Sequence, residues 1–253
     1  MTHFYFGDPT KEFSLQLVKT LVDSEADILE IGIPYSDPVC DGDVFQRTCR
    51  RALEAGITPN DVFIGIKKLR SDSGQARMTK VHIYLTSYYA PIFKMGVREF
   101  VQRAKNVGVK GLIIPDLLLE EQIELRNDCD NNGLSLIQFA TVYSSEERLK
   151  QIIDASTNFI YCVSLPGVTG DKREVTQLRQ LLQVLKKMTN KKLFVGFGIN
   201  SANDVKNIMA MEADGVIVGS AIARIYEEHL NTPEKSLVKI GEFVKGLKKS
   251  TIE

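Results

Sequence analysis

Ser24-Glu25-Ala26-Asp27-Ile28-Leu29-Glu30-Ile31-Gly32 closes one amphipathic run, turns, and opens a short apolar one. The same shape returns as Asn106-Val107-Gly108-Val109-Lys110-Gly111-Leu112-Ile113-Ile114-Pro115-Asp116 and again as Met211-Glu212-Ala213-Asp214-Gly215-Val216-Ile217-Val218-Gly219. Short runs rich in β-branched residues read as buried parallel strands. Scanning outward adds more of them, giving Phe4–Phe6, Ile28–Ile33, Val81–Leu85, Gly111–Pro115, Leu134–Phe139, Phe159–Val163, Leu193–Phe197 and Gly215–Val218. Each precedes a stretch with helical spacing, such as Phe13-Leu15-Leu17-Val18-Leu21-Val22 or Leu178-Leu181-Leu182-Leu185. Right-handed β-α-β crossovers put all the helices on one side, so eight such units close into a (β/α)8 TIM barrel. The alternative, an open doubly wound sheet, would show a Gly-rich turn directly after the first strand.

At 253 residues the chain has the length of one such α/β barrel, so a single domain over residues 1–253 is expected. Lys plus Arg and Asp plus Glu both number 32, which argues against a nucleic-acid or membrane surface as the main partner. Cys40, Cys49, Cys129 and Cys162 are irregularly spaced, with no C-x-x-C pair. Reduced cysteines in a cytoplasmic protein follow from that pattern, not disulfides or zinc. His3, His82 and His229 are scattered and do not read as metal ligands; His82, inside a strand, reads as a packed core residue. The start of the chain lacks the charged and apolar regions of a signal peptide, and no apolar run approaches the ~20 residues that span a bilayer.

Chemistry in such a barrel sits at the C-terminal ends of the strands. Glu30, Asp41, Asp116, Tyr161, Thr169, Gly196, Gly198, Gly219 and Ser220 fall there. Gly196 and Gly198 read as positions where backbone N–H groups approach a ligand, and Gly219-Ser220 as the opening of a helix. Two Gly-bearing strand ends side by side, in the last two units, are the usual phosphate seat of this fold. Glu30 interrupts an apolar strand, and a carboxylate inside a barrel is costly unless paired or used. The loop after it carries Asp37, Asp41 and Asp43, any of which could be a turn or cap residue, or face the barrel mouth. Ser164-Leu165-Pro166-Gly167-Val168-Thr169-Gly170-Asp171-Lys172 reads as a lid.

Longer motifs narrow this further. Gly7-Asp8-Pro9, the run Glu30-Ile31-Gly32-Ile33-Pro34-Tyr35-Ser36-Asp37-Pro38-Val39-Cys40-Asp41-Gly42 with Gln46 after it, Tyr88-Tyr89-Ala90-Pro91, Asp116, Gly167 to Gly170, Gly196 to Ile199 and Gly219 to Ile222 occur in that order. Together they resemble the tryptophan synthase alpha subunit family over nearly the whole chain. The resemblance implies retro-aldol cleavage of indole-3-glycerol phosphate to indole and glyceraldehyde 3-phosphate. It implies Glu30 as acid and base, Asp41 on the indole N–H, and Thr169 closing toward Asp41. Phe197, Tyr161 and Ile113 would line the indole site, and Gly170, Gly198, Gly219 and Ser220 would bind phosphate. It implies neither metal nor organic cofactor on this chain. Pyridoxal phosphate would sit on a partner beta subunit, in an α2β2 heterotetramer. The chain departs from the family at Tyr5, usually Thr, at Asp43, usually Pro, at Ala90, usually Asn, and at Leu165, often Arg. Asp43 beside Asp41 would matter if both faced inward.

Overall fold

The computed structural model describes residues 1–71, 78, 80–163, 172–196 and 198–252. Eight parallel strands follow one another around the sheet in chain order. They are β1 (Thr2–Tyr5), β2 (Ile28–Gly32), β3 (His82–Thr86), β4 (Gly111–Ile113), β5 (Ser135–Thr141), β6 (Ile160–Val163), β7 (Leu193–Gly196) and β8 (Gly215–Ile217). The helices among the described residues are α1 (Lys11–Asp23), α2 (Asp43–Glu54), α3 (Pro59–Ser71), α4 (Tyr89–Met95), α5 (Val97–Asn106), α6 (Ile123–Asn132), α7 (Glu146–Ala155), α8 (Lys172–Met188), α9 (Ala202–Met209), α10 (Ser220–Glu227) and α11 (Leu237–Lys249). Thr2 bridges Val218 in parallel; the His3 N–H donates to the Val218 carbonyl at 2.8 Å, and the Val218 N–H to that of Met1 at 3.0 Å. These bonds join the last strand to the first, and the fold is a TIM barrel.

Strand alternation divides the core into two layers. Leu29, Ile31, Ile83, Leu85, Leu112, Ile160, Cys162 and Val195 pack outward with the helices. Tyr84, Ile113, Ile137 and Phe159, flanked by Phe139, Tyr161 and Phe194, fill the barrel. Aromatic rings need space, and glycines on neighbouring strands provide it. A Cβ on Gly32 would lie 2.5 Å from the Tyr5 ring, and one on Gly196 would lie 2.6 Å from that of Tyr161.

Strand bounds differ from the sequence reading for identifiable reasons. β1 starts earlier than Phe4 because Thr2 and His3, though polar, are paired on both sides. β4 stops at Ile113, before Pro115, which has no N–H to add to a ladder. β5 runs on to Thr141. His82, expected in the core, is exposed because it is the first residue of β3, at the rim of the barrel away from the strand C-termini.

The threefold sequence echo has a backbone cause. Glu25, Gly108 and Glu212 occupy the same place in the three copies and all adopt positive φ, 65°, 82° and 65°. A left-handed residue there turns the chain from a helix end into the next strand. Only the middle copy uses glycine, and the conformation costs other residues about 1–2 kcal/mol each. Glu25→Gly and Glu212→Gly are therefore expected to stabilise by roughly 0.5–1 kcal/mol each, the strain relieved less the added chain entropy. A thermal melt of each variant checks this; a lowered midpoint would contradict it.

Candidate active site

Glu30 is the middle residue of β2 and only 2 % exposed. Its Oε1 accepts a hydrogen bond from Thr86 Oγ1 at 2.5 Å, from the C-terminal end of β3. His3 on β1, its register partner, brings Nδ1 to 3.2 Å from the Glu30 carbonyl and 3.4 Å from Oε1. Oε2 is buried and has no hydrogen-bond partner among the described residues. The buried carboxylate is thus tethered through one oxygen.

Of the three carboxylates after β2, Asp37 and Asp43 are exposed and only Asp41 is drawn inward. Asp43 opens α2, so the paired inward carboxylates considered from sequence do not form. Asp41 is held at several points. Its N–H donates to the Pro38 carbonyl at 3.0 Å, and Gln46 Nε2 donates to its carbonyl at 2.9 Å. Its Oδ2 accepts from Tyr5 Oη at 2.6 Å and Tyr88 Oη at 3.0 Å. Burial first, and the Asp41 charge second, raise the pKa of both phenols well above the usual range, so both remain donors. Cys40 N–H donates to Tyr88 Oη at 2.9 Å, and Tyr35 stacks on the Tyr88 ring at 5.3 Å.

A cavity of about 160 Å³ is lined by His3, the neighbour of Glu30, with Phe45, Tyr161, Gly196, Gly198, Ile199, Ile217, Gly219 and Ser220. Five residues singled out from sequence therefore meet there: Tyr161, Gly196, Gly198, Gly219 and Ser220. Ser220 begins α10 with Gly219 as its cap, and the first N–H groups of a helix have no partner within it. They and the positive end of the helix dipole suit an anion. Burial first, then the charges of Glu30 and Asp41, push the Tyr161 phenol up, so it stays neutral.

Other expectations fared differently. Gly196 and Gly219 leave room for side chains as much as for a ligand: a Cβ on Gly219 would meet Phe45 at 2.4 Å. Ile113 lies in the packed barrel interior, at 1 % exposure. Asp116 is exposed, and its carboxylate accepts the Tyr89 N–H at 2.9 and 3.1 Å, which caps α4. Thr169, Gly170, Phe197 and the lid 164–172 (its last residue apart, which begins α8) lie outside the described residues. His3, Thr86 and Tyr88 were not singled out from sequence for this site. The signal was present: on β1 and β3 the inward phase reads His3, Tyr5 and Tyr84, Thr86, against outward Phe4 and Ile83, Leu85.

Among the described residues, no group of three His, Cys, Asp or Glu side chains converges as a metal site would. Cys49, Cys129 and Cys162 are buried, and burial pushes each thiol up to about 12, which leaves no thiolate for nucleophilic chemistry. The arrangement suits proton transfer beside a held anion.

The sequence profile of the family described as Tryptophan synthase alpha chain matches residues 1–252. A tryptophan synthase alpha chain of Carboxydothermus hydrogenoformans is 41% identical over 234 residues, covering 92% of this chain and 85% of its own length. One from Arabidopsis thaliana is 38% identical over 247 residues, covering 97% and 87%. Among solved structures, tryptophan synthase subunit alpha of Legionella pneumophila superposes with a TM-score of 0.89 at 30% identity, covering 99% of this chain and 91% of that one. A chain of the tryptophan synthase a2b2 complex of the hyperthermophile Pyrococcus furiosus gives 0.88 at 33% identity, covering 98% and 96%. With nearly its whole length matched and its fold shared, the chain belongs to the tryptophan synthase alpha chain family.

Proposed function

We infer that this chain cleaves indole-3-glycerol phosphate to indole and glyceraldehyde 3-phosphate in tryptophan biosynthesis. The reaction is a retro-aldol. Indole C3 gains a proton, the hydroxyl on the adjacent side-chain carbon loses one, and the bond between the two carbons breaks. Its electron pair returns to the ring and the side chain leaves as an aldehyde, so no oxidant or second substrate is consumed. The observation that carries the reading is the Glu30 carboxylate, buried, tethered through Oε1, with Oε2 unpartnered, and next to His3, which lines a glycine-rimmed cavity.

In this reading Glu30 is acid and base, relaying both protons through Oε2. Asp41 holds the indole N–H with Oδ1, since Oδ2 is taken by two tyrosines, and its charge stabilises the ring cation formed when C3 is protonated. Gly198, Gly219 and Ser220, with the start of α10, hold the phosphate, while Tyr161, Gly196 and Ile113 shape the wall and floor. Thr169, Gly170 and Phe197 complete the site as the family pattern has them. The chain works as a single domain, with neither metal nor organic cofactor of its own; pyridoxal phosphate belongs to the beta subunit.

Tyr5→Phe isolates the Asp41 clamp. It removes the 2.6 Å bond and leaves the one from Tyr88. Hydrogen bonds to charged groups contribute about 1.5–3 kcal/mol, so kcat/KM should fall roughly tenfold with the fold intact. Unchanged kinetics would mean Tyr5 merely packs.

The partner in this reading is a tryptophan synthase beta subunit, in an α2β2 complex. Val39, Phe93, Leu118 and Tyr143 are exposed and lie in the segments that follow β2, β3, β4 and β5. Four apolar side chains along neighbouring loops at the active-site end are what a docked subunit would cover. No helix among the described residues is long and apolar enough to cross a membrane. We place the reaction in the cytoplasm, a reading supported by four unpaired cysteines. Indole release by the purified chain, alone and with a beta subunit, tests the assignment. Slow release stimulated by the partner is expected. Full-rate release without it would make the chain a free-standing lyase, and exposed Ala90 in the first turn of α4 favours that second outcome.

A further inference from the structure

Resting on the acid–base reading of Glu30, we propose that His3 is a positioning residue for that carboxylate, acting as an Nδ1–H donor. The tautomer follows from the partners. The Glu30 main-chain oxygen, 3.2 Å from Nδ1, can only accept a hydrogen bond, so Nδ1 carries the hydrogen. Nδ1 also lies 3.4 Å from Oε1, the oxygen that Thr86 holds. His3 and Thr86 reach that oxygen from the strands on either side of β2. Thr86 thus bonds Oε1, His3 bonds the main chain of the same residue and faces that same carboxylate oxygen, and Oε2 is left for the substrate. A carboxylate free to rotate would offer the reacting proton from either oxygen and from many directions; one tethered on a single oxygen offers it along one line.

The ring is itself held in place. It is 6 % exposed and packs edge-on against Phe45 at 4.6 Å and Tyr5 at 5.2 Å. Tyr5 also clamps Asp41, so one aromatic cluster braces both carboxylates. Those contacts make the test practical. His3→Phe keeps a ring in the cluster and removes the donor. His3→Asn loses the ring but keeps an N–H near the Nδ1 position.

The experiment measures kcat and KM for indole release from indole-3-glycerol phosphate by the full chain, His3→Phe, His3→Asn and Glu30→Gln. Long-range proton–nitrogen NMR of the parent chain reads the tautomer directly. With only three histidines, His82→Gln and His229→Gln assign the spectrum. In His3→Phe, kcat should fall roughly 10- to 100-fold while KM changes by less than about twofold. His3→Asn should recover most of kcat, and His3 should show a protonated Nδ1. Parental kcat in His3→Phe beside an inactive Glu30→Gln, no recovery in His3→Asn, or a hydrogen on Nε2 with Nδ1 bare would each overturn the assignment while leaving Glu30 in place. Turnover retained in Glu30→Gln would overturn the acid–base reading and this inference with it.

Discussion

Glu30→Gln should lower indole release by roughly a thousandfold or more while the protein melts near the parent temperature. General acid–base groups contribute about 10²- to 10⁴-fold, and here one residue serves both proton transfers of a single turnover. Gln has the shape of Glu, and its amide oxygen can still accept from Thr86. What is lost is a group at the Oε2 position able to take a proton and return it. The packing around position 30 is unchanged, so the loss should appear in kcat, with KM moving little. A rate within tenfold of the parent would remove Glu30 from the chemistry. A collapse of the melting temperature would show that the buried carboxylate holds the barrel together instead.

The largest stability effect is expected at Asp8, behind the site. Asp8 is fully buried in the turn after β1. It accepts Arg51 Nε at 2.6 Å and Nη2 at 2.8 Å, and Tyr226 Oη at 2.7 Å. Arg51 also reaches Glu227 at 2.8 Å. One buried carboxylate thereby ties the first strand's loop to α2 and α10, the elements that carry Phe45 and Ser220 into the site. Breaking a buried pair by removing one partner costs about 3–5 kcal/mol, because the remaining charge has no water to turn to. Arg51→Leu leaves Asp8 in that position and should lower the melting temperature by roughly 10 °C for a chain of this length. Arg47→Leu is the contrast. Arg47 binds Glu227 at 2.8 Å with its side chain 49% exposed, and exposed pairs contribute less than about 1 kcal/mol. Equal losses in the two variants would refute the argument from burial.

The sequence revealed the parts of this protein that depend on local patterns. Short strands rich in β-branched residues and helices apolar on one face are visible residue by residue, and together they specify a barrel. Glu30 was conspicuous because alternation turns it away from the layer of Leu29 and Ile31, and Gly219-Ser220 because a helix starts there. Partnerships set by strand register were not visible. His3 and Thr86 lie 27 and 56 residues from Glu30, and only the pairing of β1 and β3 with β2 brings them to it. Tyr5 looked like a departure from a family pattern until the fold placed it against Asp41. The glycines misled in part, since absence of a side chain can make room for a ligand or for a neighbouring ring. Gly196 lies beneath Tyr161, and nothing in the local sequence distinguishes the two uses. Asp116 had the residue type of a site group and the position of a helix cap.

The most direct test of the account is product analysis with purified chain and indole-3-glycerol phosphate, alongside phosphosugars that lack the indole ring. Indole and glyceraldehyde 3-phosphate are expected in equal amounts, with no turnover of the other compounds. Absence of indole with and without a beta subunit, or faster turnover of a ring-free phosphosugar, would contradict it.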